Sequence, residues 1–200
     1  MINSIDKIHF QELAEQDPTD VCRRASCEYD DVKEFYTLSV WDEKYAIYPH
    51  EFKIDRIGKN DQSPHDYLYL FIIHYLLKAK EIDITGEWIS EKDIPGGVTF
   101  FRGPHAIPTH LISKQYANNI KEFRERCEQL HGISLDAADV SYRFEITARI
   151  PVAALYWKGD DEFLPEAKIL YDKTITEHLA PDIIFALAVA ICKRLARLHR

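Results

Sequence analysis

"SYRFEITARIPVAALYWKGDDEFLPEAKILYD", residues 141–172, decides the fold class. Its opening residues alternate. Tyr142, Phe144, Ile146 and Ala148 point one way, and Arg143, Glu145, Thr147 and Arg149 the other, which is the period of a strand with one wetter face. "VAALYW" is apolar throughout and reads as a central strand. "KGDDE" supplies a turn and "AKILY" a third strand.

Outward from this segment, helices and one more hairpin complete the pattern. A helix starts near Pro181, with Ile184, Leu187, Ile191, Leu195 and Leu198 as its stripe, and Lys193, Arg194, Arg197 and Arg200 at its end, where cations suit the helix dipole. "FYTLSVW" (35–41), the turn "DEK" and "YAIY" read as a hairpin. Ser63-Pro64 opens a helix carrying Leu68, Phe71, Ile72, Tyr75, Leu76 and Ala79 on one face. Thr109 caps a long amphipathic helix with Ile112, Tyr116, Ile120, Phe123, Cys127 and Leu130, ended by Gly132. Nearer the start, Ile5, Ile8 and Leu13 mark a helix, and Asp17-Pro18 begins a second through Val21, Cys22 and Ala25. The expected class is α+β: an antiparallel sheet of hairpins packed by helices.

A shift of 116 residues lays Trp41 on Trp157, Pro49 on Pro165 and Asp66 on Asp182. This suggests a duplicated hairpin-plus-helix unit, with pseudo-repeats 30–80 and 140–200 joined by a loop at 81–108 and a helix at 109–131. The competing reading is that hairpin-then-helix is a common unit. Residues 1–200 are expected to form a single domain.

The chain is 46% hydrophobic and 29% charged, with a formal charge of −8. That balance argues against nonspecific binding to nucleic acid or an anionic membrane. Aromatics are not interleaved with basic residues, so single-stranded nucleic acid has no support either. The start carries no apolar signal segment, and the apolar run 183–192 is too short to span a bilayer. A cytoplasmic location is the default. Of the four cysteines, Cys22 and Cys27 are spaced C-x4-C without a second close pair, which favours unpaired thiols over a metal or redox pair.

The most unusual stretch is "GEWISEKDIPGGVTFFRGPH", residues 86–105. Glu87, Trp88, Gly96, Gly97, Arg102 and His105 would supply an acid, an aromatic wall, close backbone approach, a cation and a titratable base. Pro-Gly-Gly is equally ordinary turn chemistry, and the aromatics could simply pin the loop to the core. Asp160, Asp161 and Glu162 form a carboxylate cluster that suits either a divalent cation or a solvated turn. Asp172 suits either a cap of backbone N–H groups or a general base. No phosphate-loop, dinucleotide, zinc-protease or nucleophile motif occurs. No cofactor is evident and no metal is expected. His50, His65, His74, His131, His178 and His199 read as surface or capping residues.

On these residues the chain resembles domain-of-unknown-function family 3786. The resemblance rests on "TGEW" (Thr85 to Trp88), on "PGG" with Phe100, and on residues 151–172. There Pro151, Trp157, Gly159, Asp160, Glu162, Phe163, Pro165, Ile169, Leu170 and Asp172 fit the family pattern, followed by His178 and Leu179. It covers about residue 20 to the C-terminus. It implies relatives mostly from anaerobic bacteria and archaea, some with the domain behind an iron–sulfur-cluster segment, in a setting of corrinoid or one-carbon metabolism. The chain departs from the pattern in lacking the four-Cys segment, so a stand-alone form is expected. It also departs in reading Leu170-Tyr171-Asp172-Lys173-Thr174 where relatives often have a serine. The family brings no established reaction.

The expected function is therefore an accessory domain binding a small ligand or protein partner, with Trp88, Gly97, Arg102 and Asp160–Glu162 near one another. The alternative is an enzyme using Glu87, His105 or Asp172 as acid–base groups. A homodimer through the apolar helices is a third reading.

Overall fold

The computed structural model describes residues 5–58 and 66–196. The expected Ser63-Pro64 helix start, His65 and the basic end from Arg197 onward lie outside the described residues.

Two antiparallel sheets form. Helices α1 (Lys7–Ala14) and α2 (Pro18–Ala25) precede a meander of β1 (Glu28–Asp30), β2 (Phe35–Val40), β3 (Glu43–Tyr48) and β4 (Lys53–Ile57), paired in chain order. Asp17 caps α2 as expected, accepting from the Thr19 N–H at 2.9 Å. Helix α3 (Asp66–Lys78) follows. The segment after it adds the short strand β5 (Trp88–Ile89), the single turn α4 (Gly97–Phe100) and a 3-10 turn at Gly103–His105. After α5 (His110–Tyr116) and α6 (Ile120–Gln129) come β6 (Ile133–Leu135), β7 (Val140–Thr147), β8 (Ile150–Trp157) and β9 (Glu166–Asp172), then α7 (Ile175–His178) and α8 (Pro181–Leu195). The second sheet has the order β5-β9-β8-β7-β6. The apolar strand β8 lies at its centre, and six of its eight residues from Pro151 to Tyr156 are buried with Ile150.

Helices α3 and α8 pack against each other, and one cluster of buried side chains runs through both sheets. Of the stripes that suggested a dimer face, Phe71, Ile72, Tyr75 and Leu76 of α3 and Ile184, Leu187, Ile191 and Leu195 of α8 are buried within the chain itself.

The join between the sheets is specific. Pro151 has no N–H to give a central strand. Beside it the β7–β8 register slips, Glu145 facing Pro151 and Thr147 facing Ile150, so Ile146 is an extra residue on β7. The Ile146 carbonyl accepts from the Trp41 N–H at 2.8 Å. Trp41 and Asp42, the two-residue turn between β2 and β3, have φ of 50° and 64°. Such a turn matches the strand twist but is costly for a tryptophan. Packing holds it. The Trp41 indole donates to the Leu130 carbonyl at 3.1 Å, packs on Phe144, and lies under the Arg194 guanidinium at 4.9 Å. Arg194 also pairs with Glu43 at 3.0 Å, and Glu43 accepts from the Tyr45 hydroxyl at 2.7 Å.

One expectation needs correction. The helix expected from Thr109 to Gly132 is two helices. Ala117 turns to φ 45°, and Asn119 starts α6 by accepting from the Glu122 N–H at 3.2 Å. A shift of 116 residues does lay α3 on α8 and β2 on β8, but it lays β3 on the turn at 158–165.

Candidate functional site

Asp172 shows how the segment after α3 is held. It is only 2% exposed, and its carboxylate is enclosed by donors. The N–H groups of Thr85 (3.2 Å), Gly86 (2.6 Å) and Thr174 (3.0 Å) reach it, with the hydroxyls of Thr85 (3.0 Å) and Thr174 (2.8 Å). Burial pushes its pKa up, but these hydrogen bonds outweigh burial and hold the carboxyl below its ordinary value. Asp172 is thus a clamp joining Thr85-Gly86 to the end of β9. Thr174 takes the place where a serine hydroxyl would serve equally. Next to the clamp, Trp88 pairs with Asp172 across the ladder, and exposed Glu87 bonds exposed Lys173 at 2.9 Å.

The following turn is closed by its own atoms. Ser90 donates twice to the Asp93 carboxylate, at 2.9 and 2.7 Å. Gly96 takes φ 75° at the start of α4. Gly97 is required by space: a Cβ there would stand 1.9 Å from the Glu91 carbonyl oxygen. His105 stacks on Phe100 with ring centroids 4.7 Å apart and meets the edge of Phe185 on α8. Arg102 is exposed.

The acidic hairpin lies elsewhere. Asp160 accepts from the Glu162 and Phe163 N–H groups at 2.9 and 2.8 Å and so closes the β8–β9 turn, with Asp161 and Glu162 in solvent. Gly159 leaves room for Pro165, whose Cδ would lie 2.7 Å from an added Cβ. Trp88 faces Asp172 at one end of β9, while the turn leaves from the Trp157–Glu166 pair at the other. Six residues of strand separate them, roughly 20 Å. The expected grouping of Trp88, Gly97 and Arg102 with Asp160–Glu162 does not form. Among the described residues, no group of three or more His, Cys, Asp or Glu side chains is arranged to hold a metal ion.

What the fold does build is a cleft of about 610 Å³ between the end of α3, the Ile94-Pro95 corner and the α7–α8 junction. Ile94, Pro95, Leu179, Ala180, Pro181 and Ile183 give it an apolar wall. His74, Lys78, Lys80, Glu177 and Asp182 supply polar groups around it. Lys78 pairs with Glu12 at 2.6 Å and Lys80 with Glu177 at 2.9 Å, both at the surface. Helix α8 begins here, and Ala180 gives it no side-chain cap.

His178 also lines the cleft and is only 2% exposed, so of the two expected readings, surface or capping residue, the surface one does not hold. Its Nδ1 accepts from the Lys80 N–H at 3.1 Å, which fixes the neutral tautomer with hydrogen on Nε2. Nε2 is buried without a hydrogen-bond partner. Burial first, then the positive charges of Arg149 and Lys80, push the pKa of His178 down to about 4. His74 is pushed down as well, by burial and by His9, whose ring lies 4.4 Å away.

None of Glu87, His105 and Asp172 lines this cleft. The sequence reading missed its walls because they come from three distant segments. A visible signal was Ala180-Pro181 opening a buried helix without a capping side chain.

The sequence profile of the family described as Domain of unknown function (DUF3786) matches residues 17–194. No curated protein and no solved structure matches the chain.

Proposed function

The chain belongs to the DUF3786 family, and from that premise we propose that it is an accessory domain whose small ligand sits in the cleft between α3, Ile94-Pro95 and α8. The cleft itself carries this reading. Its volume of about 610 Å³ falls inside the range of about 300–1,000 Å³ usual for small-molecule sites, and an apolar wall with a few polar groups is the usual lining. The ligand class that fits has an apolar body and an anionic end. The body would lie on Ile94, Pro95, Leu179 and Ile183. The anionic end would lie at the start of α8, where the helix dipole and the Asp182 N–H favour negative charge; Pro181 has no N–H, and the Ile183 and Ile184 N–H groups bond the Ala180 carbonyl. Lys78 and Lys80 can exchange their exposed partners Glu12 and Glu177 for such a group. The corrinoid or one-carbon setting of anaerobes implied by the family resemblance belongs to this proposal.

Ala180 is exposed at the cleft and has extended backbone, so Ala180→Trp fills the space without disturbing the core. Native mass spectrometry of freshly purified chain, under anaerobic conditions, should show a small-molecule adduct that the variant lacks. An adduct retained equally by folded Ala180→Trp would place the ligand elsewhere.

A further inference from the structure

The C-terminus of α2 carries a second piece of chemistry, away from the cleft. Cys22 lies in the helix and Cys27 just beyond its end, and their sulfur atoms are 3.8 Å apart. The backbone brings them together. Ser26 takes φ 55°, which ends the helix, and the Cys27 N–H then bonds back to the Cys22 carbonyl at 3.2 Å. The Cys27 thiol has two acceptors in reach, the Cys22 sulfur at 3.8 Å and the Val21 carbonyl at 4.0 Å. Both side chains are half-buried against the core beside Tyr29 and Tyr36, whereas Cys127 and Cys192 are fully buried.

We propose that Cys22 and Cys27 form a reversible dithiol–disulfide site that exchanges with small-molecule disulfides of the glutathione class. The C-x4-C spacing favoured unpaired thiols, and both are free in the structure; the helix end nonetheless sets their sulfurs side by side. In the first step Cys22 loses its proton and its sulfur attacks one sulfur of the incoming disulfide. The S–S bond of that molecule breaks, one thiol leaves with a proton, and Cys22 holds a mixed disulfide. In the second step Cys27 attacks the Cys22 sulfur, and the second small thiol leaves with the Cys27 proton. The pair gives up two electrons and two protons, and the incoming disulfide becomes two thiols. Cys22 is the attacking sulfur because the Cys27 thiol donates to it and so supports its thiolate. Burial raises the pKa of both thiols, Cys27 far more than Cys22, so exchange is slow at neutral pH and faster in mild alkali.

The test is equilibration of the full chain across a series of oxidised-to-reduced glutathione ratios at pH 8, followed by acid quench, thiol alkylation and intact-mass and peptide mapping. The expected product is lighter than the dithiol chain by two hydrogens, with the link between Cys22 and Cys27, and dithiothreitol restores both thiols. Cys27→Ser should instead trap one glutathione on Cys22, and Cys22→Ser should form no intramolecular link. Three results would overturn the proposal: both thiols alkylated at every ratio, loss of label confined to Cys127 or Cys192, or stable glutathione on the wild-type Cys22.

Discussion

Mild acid should weaken this fold in large part through one buried residue, His178. In the folded chain its pKa lies at about 4, against an ordinary 6.5, because the ring is buried and faces Arg149 and Lys80. Between those two values the unfolded chain takes up a proton that the folded chain refuses. Unfolding therefore binds protons in that window, and stability rises with pH across it. The contribution is fully present above about pH 6.5 and is lost as pH falls toward 4. Each pH unit of the gap is worth about 1.4 kcal/mol, so the whole window is worth about 3 kcal/mol. That is a large share of the roughly 5–15 kcal/mol that holds a domain folded. His178→Asn is the informative change, since its amide oxygen replaces Nδ1 as acceptor for the Lys80 N–H and carries no titrating proton. Urea unfolding at pH 7.5, 6.5, 5.5 and 4.5 should show wild type losing stability faster than the variant, with most of the about 3 kcal/mol divergence reached by the lowest pH. His74 also binds protons less readily when folded, but it is common to both chains and cancels. Asp172 and Glu43, both held below their ordinary values, begin to lose their contributions as pH falls through those ordinary values, near the end of this window, and are likewise common to both chains. Parallel pH profiles for wild type and variant would show that the buried His178 ring does not set the acid sensitivity.

Other perturbations separate the clamp from the turn. Asp172→Ala leaves the Thr85, Gly86 and Thr174 N–H groups without their acceptor and should cost about 3 kcal/mol in urea unfolding. Gly97→Ala sets a methyl against the Glu91 carbonyl and should cost about 2–3 kcal/mol. Gly96→Ala, with open space but positive φ, should cost only about 1 kcal/mol; thermal melts of the pair that reverse this order would contradict the packing described. Glu43→Gln weakens the group that holds Arg194 over Trp41, so the near-ultraviolet circular dichroism of tryptophan should diminish while the far-ultraviolet signal stays. An unchanged near-ultraviolet band would count against that linkage.

Much of the architecture could be read from the sequence because it is local. The alternation around Phe144 and the apolar run to Trp157 gave β7 and β8 directly, and Asp17-Pro18 gave the start of α2. The break at Ala117 was also local but was masked by an apolar stripe continuous from Ile112 to Leu130. Its signal was Asn119 followed by Glu122 three residues on, whose side chains bond at 2.9 Å. The site was less legible because register is not local. Nothing in the sequence tells that Thr85 and Gly86 reach Asp172, or that Trp88 and Asp160 stand at opposite ends of β9. Residues 86–105 were unusual for a structural reason: Gly96, Gly97, Asp93 and Phe100 close the connection on itself. The same segment still reaches the cleft, through Ile94 and Pro95, the two residues that looked least chemical. His178 stood four residues past Thr174 in a family motif, and only the packing of α7 against Lys80 reveals that it is buried.

The most direct test of the small-ligand cleft is protein-observed NMR of the isotopically labelled chain against a panel of small carboxylates and phosphate monoesters with apolar bodies. Amide shifts should cluster at Lys78, Lys80, Ile94 and Thr176–Ile183 and vanish in Ala180→Trp. Shifts confined to Trp88, Arg102 or the turn at Asp160–Glu162, or no response to any member of the panel, would contradict this placement.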